Sequence, residues 1–98
     1  MYTYIVEPKA QEEYEQSIQW YGVRSEAAAL NFIYSIESAI MVICKNPFLY
    51  KKRYKFFHEA VIKKYPYSVI YTVEEKINTV VIISIFQHNR NPKKKFKK

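Results

Sequence analysis

Apolar residues in the first half of the chain recur at helical spacing in two successive segments. The first segment follows Pro8, a residue that is well tolerated in the first turn of a helix. Its stripe consists of Ala10, Tyr14, Ile18 and Tyr21, and the second stripe consists of Ala28, Phe32, Ile36, Ala39, Ile40 and Ile43. Because few residues separate the two segments, the pattern predicts two helices that fold back on each other as a hairpin.

Turn-forming residues set the predicted limits of these helices. Gly22 is expected to end the first helix, because glycine readily adopts the left-handed backbone that often follows a helix. Ser25 is expected to cap the second helix, which ends at Asn46-Pro47 because the residue before a proline avoids helical geometry. Trp20 and its neighbour Tyr21 lie near the end of the first apolar helix and are predicted to be core residues.

The hydrophobic period changes to two outside the helices, which predicts strands. Short strands are expected at residues 2–6, 53–57 and 59–64, the last two alternatively forming one bent strand. Tyr65-Pro66-Tyr67 is predicted to be a turn, because proline cannot serve a central ladder. Two further strands, 68–73 and 77–86, are joined by a turn at 74–76.

The last predicted strand is apolar on both faces, which is typical of a central strand that is covered on both sides. Strict alternation places four residues on one face and three on the other: Ile77, Val81, Ile83 and Ile85, and then Val80, Ile82 and Phe86. Tyr71, in the middle of the preceding strand, shares a face with Val69 and Val73 and is predicted to be core.

The order of elements predicts one α+β domain over residues 1–98. It consists of an N-terminal strand and an α-helical hairpin packed on an antiparallel β-sheet. The length suffices for a single core, to which ten Tyr and six Phe contribute. Cys44 is the single cysteine, which excludes an internal disulfide, and its apolar helix predicts burial. Neither a membrane span nor a signal peptide is expected, so the protein is predicted to be cytoplasmic.

Charge is divided unevenly along the chain. Residues 1–44 carry a net charge of −4, from two cations and six glutamates, and residues 45–98 carry +11, from fourteen cations and three glutamates. The second half is therefore expected to meet a polyanion or an acidic protein, although lysine-rich surfaces also keep small proteins soluble. The tail at 92–98 holds five lysines and is expected to be mobile, with the core ending near Phe86.

The sequence carries no standard catalytic motif, and neither a metal nor a cofactor is expected. Cations interleaved with aromatic residues suit single-stranded RNA, because cations bind phosphates and rings stack on unpaired bases. Metal-free RNA cleavage needs a base, an acid and cations that stabilise the transition state. The catalytic candidates are Arg53, Lys55, His58, His88 and Arg90, and the binding candidates are Lys51, Lys52, Lys63, Lys64, Lys93, Lys94 and Lys95.

Three of the catalytic candidates also have a purely structural interpretation. His58 is typical of a surface or capping histidine. His88 follows a buried strand, where its ring is placed to satisfy a backbone carbonyl. Arg90 is a candidate ion-pair partner for a glutamate of the first helix. Both interpretations stay open at the level of the sequence.

Several motifs, in this order and at this length, resemble the RelE/ParE superfamily of bacterial toxins, on its plasmid-stabilisation side. They begin with the opening strand ending at Pro8 and include Trp20-Tyr21 and Asn46-Pro47. They continue with Tyr65-Pro66-Tyr67, Tyr71 and the ending His88-Asn89-Arg90-Asn91-Pro92. The resemblance implies a helical hairpin packed on an antiparallel sheet. It also implies the toxin of a type II toxin–antitoxin pair, neutralised by a cognate antitoxin protein.

The resemblance implies two different targets. ParE-like members poison DNA gyrase and are not enzymes in that role, whereas RelE-like members cut messenger RNA on the ribosome. RelE-like chemistry is attributed to Lys and Arg on the middle strands, an Arg after the last strand and often a C-terminal Tyr. Here His58 occupies a middle-strand position that is often Arg, and the tail offers Lys94 and Phe96 but no Tyr. DNA gyrase is therefore the expected target. The alternative hypothesis is a nuclease that cleaves messenger RNA, and the third is a non-toxic module that only binds its partner.

Overall fold

The computed structural model describes residues 1–96 of the chain. Five strands form one sheet in the order β1-β5-β4-β3-β2, and two helices pack on one of its faces. The elements are β1 (Thr3–Val6), α1 (Pro8–Arg24), α2 (Glu26–Lys45), β2 (Lys52–Tyr54), β3 (Phe57–Val61), β4 (Tyr67–Glu74) and β5 (Thr79–Gln87), with short 3₁₀ turns at Glu75–Ile77 and Pro92–Lys94. The predicted α+β class and the helical hairpin are confirmed.

The sheet is mixed, because β1 pairs with β5 in parallel while the other neighbours are antiparallel. Tyr4 lies opposite Val80, at the centre of the parallel pair. Parallel neighbours need a long connection, which the helical hairpin and three strands provide here. The central position of β5, between β1 and β4, agrees with its two apolar faces.

Ser25 separates the two helices. Its backbone is extended, its N–H donates to the carbonyl of Tyr21, and its hydroxyl accepts a hydrogen bond of 2.9 Å from the N–H of Ala28. The predicted cap is therefore confirmed. The predicted stop at Gly22 is wrong, because α1 continues to Arg24 and the extended Ser25 satisfies the groups at both helix ends.

The main core lies between the hairpin and the sheet, and aromatic rings form its centre. Phe32 of α2 stacks on Tyr21 of α1 at 4.8 Å between ring centroids and approaches Tyr67 at 4.9 Å. Tyr71 is fully buried and donates a hydrogen bond of 2.7 Å to the carbonyl of Pro47. The predictions of a buried Tyr71 and a buried Cys44 are confirmed.

Trp20 departs from the predicted core. Its side chain is 53% exposed, and the guanidinium of Arg24 lies 3.4 Å from the centre of its ring. Tyr21 packs against the core, whereas the ring of Trp20, one position earlier, contacts the Tyr21 ring edge-on and lies outside the core. The prediction for Trp20 was therefore wrong, while Tyr21 does pack against the core.

A bulge in β5 changes the facing of its last residues. The register with β4 shifts between Ile70, which lies opposite Ser84, and Tyr71, which lies opposite Ile82, so Ile83 has no partner. As a result Ile85 joins the core under the helices and Phe86 joins the opposite face, the reverse of strict alternation. Ile77 lies outside the strand, in the turn that ends at the left-handed Asn78.

The β2–β3 hairpin replaces the predicted strand at 53–57. Lys55 adopts a left-handed backbone with φ of 51°, and residues 55 and 56 form the turn. This turn reverses the chain, so that within residues 1–96 β2 is an edge strand paired with β3 alone. A second strand in this region is confirmed, with a break at Lys55.

The tail folds back over the sheet face that lies opposite the helices. That face carries a second apolar cluster: Phe57, Ile70, Val81, Ile83 and Phe86. Phe96 packs against this cluster and stacks on Tyr54 at 5.5 Å. The expectation of a mobile tail, with a core ending near Phe86, was therefore wrong for residues 92–96, and residues 97 and 98 lie outside the described residues.

Candidate functional site

A buried carboxylate on α1 organises the end of β5. Glu13 accepts hydrogen bonds from the Ser84 hydroxyl (2.8 Å) and from the Ile85 N–H (3.0 Å), beside the bulge. Its other oxygen binds the guanidinium of Arg90 in an ion pair. A buried carboxylate is stable only where such partners replace water. The predicted pairing of Arg90 with a glutamate of the first helix is confirmed.

A groove of about 690 Å³ lies next to this ion pair, between α1 and the end of the sheet. Its lining combines aromatic rings with amides and charged groups, among them Trp20, Tyr21, Tyr67, Gln87, Asn89 and Arg90. The Tyr67 hydroxyl donates to Ser17 at 3.0 Å, which ties β4 to α1 along the groove. Arg90 therefore presents its exposed part to the groove while Glu13 holds its guanidinium.

His88 belongs to a polar chain on the other side of the sheet. The Ser68 hydroxyl donates to Glu59 at 2.6 Å, so it accepts from the Nε2–H of His88 at 2.8 Å. The Lys95 ammonium lies 2.8 Å from the same Glu59 oxygen. This chain connects β3, β4, the segment after β5 and the tail. His88 bonds a hydroxyl here rather than the backbone carbonyl that its position suggested.

The acidity of Glu59 reflects this setting. Burial alone would raise its pKa, but hydrogen bonds from Lys95 and Ser68, together with the charges of Lys95 and Arg53, outweigh burial and lower the pKa. The carboxylate is therefore ionised at neutral pH and neutralises part of the surrounding positive charge.

His58 lies on the helix side of the sheet and is 4% exposed. Its ring stacks on Tyr71 at 4.9 Å with an interplanar angle of 11°, and its Nδ1–H donates to the Tyr50 carbonyl at 2.7 Å. Both contacts hold the ring inside the folded structure. His58 is therefore buried, whereas the sequence predicted a surface or capping histidine. The catalytic role assigned to His58 stays a prediction, now for a buried ring.

The structure separates the predicted site residues into four groups, one of which is the buried His58 alone. Arg53, His88 and Lys95 surround Glu59 and Ser68. Arg90 lies across the sheet, at Glu13. The ring of Phe86 lies between Arg90 and the group around Glu59: its centre is 5.7 Å from the Arg90 guanidinium and 5.6 Å from Lys95 Nζ. The remaining exposed cations are Lys51, Lys52 and Lys55 on the β2–β3 hairpin, Lys63 and Lys64 in the turn before β4, and Lys93 and Lys94 in the tail.

Sequence reasoning missed Glu13, Glu59 and Ser68. Glu13 lies three positions after the buried Ala10, on the edge of the apolar stripe. That spacing was the available signal. The sequence offers no such signal for Glu59 and Ser68, because their contact depends on the pairing of β3 with β4. Among residues 1–96, no group of three or more His, Cys, Asp or Glu side chains is placed to hold a metal ion.

Comparison with known proteins agrees with the fold. One chain of a solved structure described as "Chromosomal ParDE TA system from P. aeruginosa" is similar, with a TM-score of 0.75 and 14% sequence identity. The match covers 89% of this chain and 96% of that chain. At this identity the likeness concerns the fold alone. No curated protein sequence matches the chain.

The sheet, its helical hairpin and the cationic segment after β5 agree with a toxin of the RelE/ParE superfamily. The sequence model of the family described as "ParE toxin of type II toxin-antitoxin system, parDE" matches residues 4–92. The chain therefore belongs to the ParE toxin family of type II toxin–antitoxin systems.

Proposed function

We propose that this protein arrests growth by a ParE-like action on DNA gyrase and that a cognate antitoxin protein neutralises it. The observation that carries the choice of target is the engagement of the candidate nuclease groups. Glu13 holds Arg90, Ser68 holds His88, and His58 is buried against Tyr71. RNA cleavage needs an acid, a base and a free cation at one phosphate. Three of the five candidates for those roles have structural partners instead.

Electrostatics support an acidic partner as well. The exposed cations of the β2–β3 hairpin and of the tail belong to the half of the chain with net charge +11. Complementary charge raises the rate of association and favours one orientation of the partner. The antitoxin is accordingly proposed to be an acidic protein.

Controlled expression tests the class and then the target. Expression of the chain alone is expected to arrest growth, and co-expression of the adjacent small gene to restore it. Purified protein is expected to inhibit supercoiling by gyrase and to accumulate cleaved DNA, while translated messages stay intact. Harmless expression of folded protein with retained antitoxin binding would instead establish the non-toxic partner-binding module.

A RelE-like nuclease is the second candidate, because Arg53 and Lys55 remain exposed on the hairpin. It requires cleavage of messages within codons on the ribosome. Arg53→Ala and Lys55→Ala would each then slow cleavage by roughly a hundredfold, the usual effect of losing one cation at a transition state. Lys76→Ala, at an exposed lysine of the turn between β4 and β5 that is not among the candidates, serves as the matched control. Intact messages with inhibited supercoiling would exclude this candidate.

A further inference from the structure

Helix α2 is apolar on two opposite faces. Its inner face forms the core through Phe32, Ile36, Ile40 and Ile43. On the outer face Leu30, Tyr34 and Met41 are 58%, 75% and 51% exposed. At 3.6 residues per turn these three fall within a stripe about 40° wide.

Length and composition alone would allow α2 to cross a membrane. Its inner face is part of the protein core, however, and crossing would separate α2 from that core. Clustered apolar side chains on an exposed surface mark sites of contact with another molecule. The outer stripe therefore needs a protein partner rather than lipid.

We propose that the outer face of α2 binds the same face of a second copy of this chain, with the two helices antiparallel about a two-fold axis. The face is self-complementary under that symmetry. Exposed Glu26 and Lys45 stand at opposite ends of the stripe, and they share a midpoint, between residues 35 and 36, with Leu30 and Met41. In the antiparallel pair Glu26 meets Lys45 of the second copy, and Leu30 meets Met41 of the second copy.

Tyr34 and Glu37 share the same midpoint, so they also meet across the axis. One oxygen of Glu37 already accepts a hydrogen bond of 3.0 Å from Tyr14 within the chain. The other oxygen is placed to accept from the Tyr34 hydroxyl of the second copy. A parallel pair would instead place Glu26 against Glu26 and Lys45 against Lys45. Repulsion between like charges therefore selects the antiparallel arrangement.

The contact is small, so the dimer is expected to be weak. A helix of this length spans about 30 Å, and one helix pair buries less than the roughly 1,600 Å² of a typical stable complex. Dissociation constants on the order of micromolar or weaker follow from a surface of this kind. Dimerisation is therefore a property of the surface of α2 and does not depend on the proposed action on gyrase.

Sedimentation of the full chain over a range of concentrations tests the proposal. The unaltered protein is expected to show a monomer–dimer equilibrium and Leu30→Glu to be monomeric throughout. Val61→Glu, the same change of chemistry on exposed β3, should keep the dimer. Glu26→Lys and Lys45→Glu should each weaken association several-fold, and the double variant should restore it. Rescue of this kind requires that the two positions meet across the axis.

Cross-linking tests the direction of the helices. A mixture of Leu30→Cys and Met41→Cys proteins should form a disulfide-linked heterodimer, while neither protein alone cross-links at comparable dilution. Self-cross-linking of Leu30→Cys would overturn the antiparallel arrangement. A protein that is monomeric at every concentration, and in which Leu30→Glu abolishes antitoxin binding, would assign the face to the antitoxin and overturn the proposal.

Discussion

Arg90 binds Glu13 across 77 positions of the sequence, and this ion pair joins the segment after β5 to the first helix. The same carboxylate accepts from Ser84 and from the N–H of Ile85, beside the bulge at Ile83. The Glu13 side chain thus accepts the hydrogen bonds of donors at the irregular end of β5 and fixes the position of Arg90. Arg90 is an anchor of the fold as well as part of the groove.

Loss of the Glu13 carboxylate is expected to destabilise the protein strongly. Glu13→Ala leaves the Ser84 hydroxyl, the Ile85 N–H and the Arg90 guanidinium without their partner. Each buried donor left unpaired costs about 1–3 kcal/mol, whereas the Arg90 side chain, 39% exposed, can regain water. Urea unfolding measures the change, with exposed Glu12→Ala as a control that stays within about 0.5 kcal/mol. Equal stability of the two variants would show that Glu13 does not anchor Arg90.

Removal of the Phe96 ring is expected to lower the free energy of unfolding. The ring packs against Phe57 at 5.9 Å and Tyr54 at 5.5 Å and is partly buried, so Phe96→Ala should cost less than a full core truncation of about 3–5 kcal/mol. Thermal unfolding checks this. Lys94→Ala, at an exposed position of the same tail, is the matched control. An unchanged melting temperature for Phe96→Ala would mean that the tail is not held on the sheet.

Glu59 makes stability depend on pH in the acidic range. Its pKa is lower in the folded protein, so the unfolded chain binds the proton more tightly. The stabilisation is therefore complete above the ordinary value near 4.5 and is lost as the pH falls through the lowered pKa. Urea unfolding as a function of pH should show a shallower acid loss for Glu59→Gln than for the unaltered protein. An equal loss of stability with falling pH in the two proteins would exclude this role for Glu59.

His58 is expected to act through the fold rather than through catalysis. His58→Phe removes the donor to the Tyr50 carbonyl, at a cost of about 1–3 kcal/mol for an unpaired buried acceptor. Growth arrest should persist wherever the variant remains folded, as judged by circular dichroism. His58→Gln keeps a side-chain donor and should be less destabilising. Loss of toxicity in a fully folded His58→Phe protein would restore the catalytic assignment.

Gly22 offers a stabilising substitution. It lies inside α1, and a Cβ added there would meet the Cβ of Ala29 at 3.8 Å, an ordinary van der Waals distance. Because alanine loses less backbone entropy than glycine in a helix, Gly22→Ala should stabilise the protein by about 0.5–1 kcal/mol. Thermal unfolding measures the sign. A decrease in stability would indicate that the hairpin cannot accept the added methyl group.

The sequence by itself determined the elements whose signals are local. Helical spacing predicted both helices, Pro8, Ser25 and Asn46-Pro47 predicted three of their ends, and alternation predicted β4 and β5. These features depend on residues a few positions apart, where side-chain periodicity and capping chemistry act directly. The family resemblance rests on the same motifs.

Only the tertiary structure decided how distant residues meet. The bulge at Ile83 reversed the facing of Ile85 and Phe86, because one extra residue in a strand exchanges its two faces. The contacts of Glu13 with Arg90 and of Glu59 with Lys95 join elements far apart in the chain. The sequence predicted a glutamate of the first helix as the partner of Arg90 but not which glutamate, since burial of a carboxylate depends on partners that only the folded chain supplies.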